Sequence, residues 1–151
     1  MFRLTVLSGA LLASLIPALA DGVLVPPDKV NWGPAPAFLP RGAQAAILSG
    51  DPAAEGSYVV RLKMPAGYRI PAHHHPTTEH VTVLSGDFHL GMGDRLDVGS
   101  GQSLTAGGYA EAPANMNHFA WATTETIVQV HGQGPFTITY VNPSDDPRQA
   151  K

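Results

Sequence analysis

The sequence predicts an all-β domain, built as a sandwich or a barrel, and three observations carry that expectation. From Ala45 onward, short apolar or alternating runs are divided by Gly, Pro, Asp and Asn, which is the spacing of strands and turns. No stretch keeps a 3.6-residue apolar period long enough for a substantial helix. The 16 Gly and 14 Pro make the chain rich in turns without a collagen-like period. At 151 residues and 44% hydrophobic, the chain is one domain with enough apolar material for a core.

Read in order, the chain opens with an address. Arg3 precedes an apolar run from Leu4 to Ile16, Pro17 breaks it, and Ala18-Leu19-Ala20 offers the small residues of an A-x-A cleavage site. The run is too short to span a bilayer comfortably. Residues 1–20 therefore read as a signal peptide cleaved after Ala20, which predicts a periplasmic or secreted product with no stable membrane anchor. Residues 21–44 hold Pro26, Pro27, Pro34, Pro36 and Pro40, with Trp32 and Phe38 between them. Proline at this density prevents helix and central strand, so the segment reads as an extended arm. Its apolar side chains favour lying against the body or a partner subunit over a free linker.

The β domain is expected over residues 45–142. Ala45–Leu48, Tyr58–Met64, His80–Leu84, Phe88–Met92, Glu111–Ala112, His118–Ala122, Thr126–His131 and Phe136–Val141 read as strands. Leu84-Ser85-Gly86-Asp87-Phe88 carries a hairpin signal, and Pro65-Ala66-Gly67 and Asn142-Pro143-Ser144-Asp145 read as turns. Residues 143–151 form a polar tail expected to fray.

Composition removes several functions. A net charge of −3 with no run of Lys or Arg disfavours nucleic acid as a partner. The absence of Cys excludes thiolate metal sites, disulfides and Cys nucleophiles. No Ser stands in a nucleophile elbow, and no Gly-rich loop is followed by the helix or Lys of a phosphate cradle.

Histidine is the unusual inventory, with four of the seven lying between residues 73 and 80. On an extended segment His73 and His75 project to one face and His74 to the other. Glu79 opens the next strand after a Pro76-Thr77-Thr78 turn, and His118 follows a second turn at Pro113-Ala114-Asn115. Three imidazoles and one carboxylate suit one borderline divalent transition metal per chain, such as Fe, Mn, Ni, Cu or Zn. A six-coordinate ion on four protein ligands would keep two positions for substrate, water or dioxygen. Taken alone, the three-His run is equally a solvated tract that binds metal adventitiously.

The spacing weighs against that bland reading. Gly67-x5-His73-x-His75-x3-Glu79-x6-Gly86 resembles the first motif of the cupin superfamily at every motif position. Gly107-x5-Pro113-x-Asn115-x2-His118 resembles the second, with two departures. Asn115 stands where the family usually has Gly, and Asn tolerates the left-handed backbone such a turn needs. Ala122 stands where the motif ends in Asn. The likeness extends over roughly Ala45–Val141, closest to small single-domain bacterial cupins with a signal peptide. The resemblance implies an antiparallel jelly-roll barrel with a metal held by His73, His75, Glu79 and His118. It also implies a homodimer formed by strand exchange or edge pairing, and dioxygenases are among such proteins.

Other residues carry weaker signals. His131 shares a strand face with Ile127 and Gln129. If that face lines the interior it is a general base or supports a ligand, and otherwise it ends a strand. His89 reads as surface, and Phe119, Trp121 and Tyr140 read as core or pocket wall. Three functions follow as alternatives. The first is a metal-dependent oxidoreductase of the dioxygenase type acting on a small organic molecule, with Glu79 able to leave the metal and act as base. The second is a non-enzymatic binder or sensor of metal or a small ligand. The third is a metal-assisted isomerase or lyase in which His131 moves the proton.

Overall fold

The computed structural model describes residues 22–149, so the leader expected over residues 1–20 lies outside the described residues. Eleven strands follow in chain order: β1 Gly33–Pro34, β2 Gln44–Ser49, β3 Gly56–Met64, β4 Arg69–His74, β5 Glu79–Ser85, β6 Asp87–Met92, β7 Gln102–Thr105, β8 Tyr109–Ala112, β9 His118–Ala122, β10 Thr126–Gly134 and β11 Thr139–Tyr140. Helical structure among the described residues is limited to the three-residue 3₁₀ turns at Pro27–Lys29, Pro143–Asp145 and Pro147–Gln149. None of the described helices is long and apolar enough to cross a membrane.

The strands divide between two antiparallel sheets, one ordered β1-β2-β3-β10-β5-β8 and the other β11-β4-β9-β6-β7. From β3 to β10 the chain passes repeatedly from one sheet to the other, the winding of a double-sheet jelly roll. The expected barrel is corrected in one respect. Among the described residues no backbone ladder joins the two sheets, so the body is a sandwich and not a closed ladder.

Strand alternation decides what fills the space between the sheets. Tyr58, Leu62 and Met64 of β3, Val81 and Val83 of β5, and Val128 and Val130 of β10 project from one sheet. Ile70, Phe88, Leu90, Ala120 and Ala122 meet them from the other. Ala72, Phe119 and Trp121 form a smaller cluster on the outer face of the second sheet. Burying a single Val or Leu contributes about 1.5–3 kcal/mol, so these inward rows hold the sandwich together.

Several sequence expectations are corrected. The Ser85-Gly86-Asp87 turn does not close a hairpin: β5 and β6 belong to different sheets, and the turn carries the chain across the sandwich. The same turn residues serve either geometry. Strand β7 went unpredicted because Leu104 is its only apolar residue. His89, read as surface, lies half-buried on the outer face of the second sheet; β6 lies between β9 and β7, and the imidazole stacks on Trp121 at 4.6 Å.

The arm lies on the body. Strand β1 pairs with β2, Tyr140 donates its hydroxyl to the Phe38 carbonyl at 2.7 Å, and the Tyr68 hydroxyl donates to that of Pro40. The tail is likewise held as far as Gln149, where Arg148 pairs with Asp146 at 2.7 Å and donates to the Ile138 carbonyl.

Candidate metal centre

Strand β4 delivers the first two histidines through a local irregularity. Its pairing with β9 shifts register between Ile70 and His73. Ile70 therefore faces the main core, Ala72 faces the outer cluster, and His73 turns inward again. His75 follows just beyond the strand, where its carbonyl accepts the Asn115 N–H at 2.8 Å. Asn115 sits at φ 60°, the left-handed conformation expected of it, and this turn sets the start of β9. His118 opens β9 as the direct register partner of His73. Glu79 opens β5 in the opposite sheet.

Folding brings the three imidazoles together in the interior, with His73, His75 and His118 exposed by 4%, 3% and 1%. One ring nitrogen from each lies within 4.8 Å of the other two. Every Nδ1 meets a backbone carbonyl: His73 with Pro71 at 2.7 Å, His75 with Thr137 at 2.8 Å and His118 with Met116 at 2.9 Å. A carbonyl only accepts, so each Nδ1 carries the proton, and each neutral ring keeps its Nε2 lone pair free.

The Nε2 atoms of His75 and His118 are buried with no hydrogen-bond partner among the described residues. The Glu79 carboxylate stands 3.7 Å and 3.6 Å from them, too far for a hydrogen bond. Leaving a buried polar atom unpaired costs about 1–3 kcal/mol. The three imidazoles converge without bonding one another and could hold a divalent transition ion, with the Glu79 carboxylate beside His75 and His118.

The electrostatics agree. Desolvation, with His118 and His75 adding to it, lowers the His73 pKa to about 3, and desolvation also lowers that of His75. Burial alone would raise the Glu79 carboxyl, but His118 and His75 beside it bring it down to about 2. His73 and His75 thus favour the neutral form and Glu79 the ionised one, the protonation states such groups take as ligands.

A cavity of about 140 Å³ adjoins the cluster, room for a few waters or a small organic molecule. Val81, Leu90, Val130 and Ile138 give it apolar walls, and the arm contributes Pro36 and Phe38. Phe119, Trp121 and Tyr140 do not line it. Nor does His131. The inward residues of β10 are Val128 and Val130, so His131 faces out, stacked on His80 at 4.9 Å beside a separate surface depression. The conditional reading of His131 as an interior base is corrected by that parity. Tyr58, near the start of β3, does line the cavity.

Residues 20–137 match the family described as the ChrR cupin-like domain. The chain belongs to that cupin family. No curated protein matches the sequence of this cupin. Among solved structures, it resembles a proposed acetylacetone dioxygenase from Methylibium petroleiphilum, with a TM-score of 0.65 and 24% identity over 88% of this chain and 90% of that one. It also resembles the polyketide cyclase RemF from Streptomyces resistomycificus, with a TM-score of 0.62 and 17% identity over 82% and 88% of the two chains. A third likeness is to the Rhodobacter sphaeroides complex of SigE with the anti-sigma ChrR, with a TM-score of 0.52 and 20% identity over 71% and 50%. At these identities the likenesses show the fold.

Proposed function

We propose that this cupin holds one divalent transition metal with His73, His75, Glu79 and His118 and acts as an oxidoreductase of the dioxygenase type on a small organic molecule. The observation that carries the reading is the pair of buried, unpartnered Nε2 atoms of His75 and His118 facing the Glu79 carboxylate. A redox-active ion bound there would bring substrate and dioxygen together and polarise the substrate oxygen it binds. The protein's own part is distinct. Its carbonyl-anchored imidazoles hold their lone pairs in place, its apolar walls exclude water, and Glu79 stands ionised beside them. His131 does not line the cavity, so the isomerase or lyase reading finds less support.

A second reading, ligand sensing without turnover, is favoured by the family description and by the likeness to a complex containing an anti-sigma factor. The fold admits either outcome. The apolar run and A-x-A site before residue 21 support export to the periplasm or beyond, and the family resemblance supports a homodimer.

Elemental analysis of untagged protein, with His75→Ala as control, tests the central claim. A stoichiometric redox-active metal that disappears in the variant is expected, followed by oxygen uptake with a phenol, diketone or thiol. Zinc alone would shift the reading to non-redox chemistry, and no metal after reconstitution would overturn it. Tight ligand binding without oxygen uptake would favour sensing.

A further inference from the structure

Tyr58 is 2% exposed, and its hydroxyl has no hydrogen-bond partner among the described residues. A buried hydroxyl in that position asks for an explanation. Its setting supplies one. Across the first sheet, Tyr58 on β3 is the register partner of Gly132 on β10, and Gly132 is the partner of Glu79 on β5. A Cβ at Gly132 would stand 3.0 Å from the Tyr58 hydroxyl oxygen and 3.4 Å from the ring carbon that bears it. The phenol therefore extends over the glycine, hydroxyl end leading, toward the strand that carries Glu79. Any larger residue at position 132 would occupy the hydroxyl's path. Phe136 packs edge-on against the ring at 5.7 Å and fixes its direction.

Tyr58 and Glu79 line the same cavity. Outside the metal cluster, the other lining residue with a polar side chain is Arg61, whose Nε donates to Gln129 at 3.3 Å. The space thus offers the metal cluster, a neutral O–H donor and apolar walls. Burial, with the Glu79 charge adding to it, raises the phenol's pKa, so the group remains a donor.

We propose that Tyr58 is a ligand-binding residue, donating its O–H to an oxygen of a small, mostly apolar molecule held beside Glu79, with Gly132 keeping that reach open. The proposal rests on the metal-site reading, since another oxygen of the same molecule is the group presented to the cluster.

The test compares wild type with Tyr58→Phe, both loaded with cobalt and followed by visible absorption. Acetylacetone serves as the probe with two oxygen atoms and azide as the metal-binding probe without oxygen. The variant is expected to bind cobalt and azide like wild type and acetylacetone about tenfold more weakly, the size of one lost hydrogen bond. Without metal, Tyr58→Phe should melt at or above the wild-type temperature, because it deletes a buried group with no partner. Unchanged acetylacetone affinity would overturn the proposal. So would a parallel loss of cobalt and azide binding, or a lower melting temperature in the metal-free variant, either of which marks a structural role. Wild type that takes cobalt but not acetylacetone would overturn the ligand class alone. Wild type that takes no cobalt would overturn the metal reading and this proposal with it.

Discussion

His73 on β4 and His118 on β9 face each other directly across an antiparallel ladder, with ring centroids 4.3 Å apart. Each ring is pinned by its own Nδ1–H to the carbonyl two residues before it. The pair is therefore set by strand register and local backbone.

His118→Ala should abolish stoichiometric metal. Removing a ligand should weaken affinity by more than the roughly 10–100-fold that loss of an outer supporting group costs. His89→Gln, on the outer face against Trp121, should leave metal content unchanged. Elemental analysis alongside far-ultraviolet circular dichroism checks both, and equal losses in the two variants would contradict the assignment.

Acid should destabilise the metal-free protein. An unfolded imidazole takes its proton near pH 6.5, whereas folded His73 resists it until about pH 3. Between those values the unfolded state binds more protons, so stability falls as the pH is lowered through that window. Glu79 acts in the same direction at lower pH, from its usual 4.5 down to about 2. Thermal melts of metal-free protein from pH 7 to pH 4 should show the decline, and His73→Ala should flatten it.

His131→Gln should retain metal and turnover within about twofold, as substitutions away from buried networks usually do. Glu79→Gln should lose activity, because the amide can neither carry the charge nor take the proton. A large loss of activity from His131→Gln with metal content intact would restore the histidine as a participant and contradict its outward placement.

Gly86→Ala should lower stability by about 1–3 kcal/mol. Gly86 adopts φ 86°, and a Cβ there would collide with the Glu125 carbonyl oxygen and the Thr126 hydroxyl. Two of the three nearest atoms, the Glu125 carbonyl oxygen and the Thr126 Cα, are backbone, which cannot turn aside as a flexible side chain would. Denaturant unfolding measures the change, and a neutral result would show that the turn can be rebuilt.

The three histidines, Glu79 and the Asn115 turn were all legible in the sequence. Ligand type, spacing and turn chemistry are local, and they were written in the two motifs. The hairpin expected at Ser85-Gly86-Asp87 failed because a tight turn constrains its own backbone and not the partners of the strands it joins. Strand β7, with little apolar content, draws its order from pairing with β6.

From the sequence alone came an all-β chain, the shared face of His73 and His75, and a candidate donor set for a metal, since side-chain alternation and turn preferences act over a few residues. Tertiary structure alone decided which faces point inward. It turned His73 back toward the cavity through the shift between Ile70 and His73, sent His131 outward opposite Val128 and Val130, and laid Tyr58 over Gly132 toward Glu79. Those outcomes depend on register between strands far apart in the chain. Register is set by burying apolar rows between two sheets, a condition that only the assembled sandwich imposes.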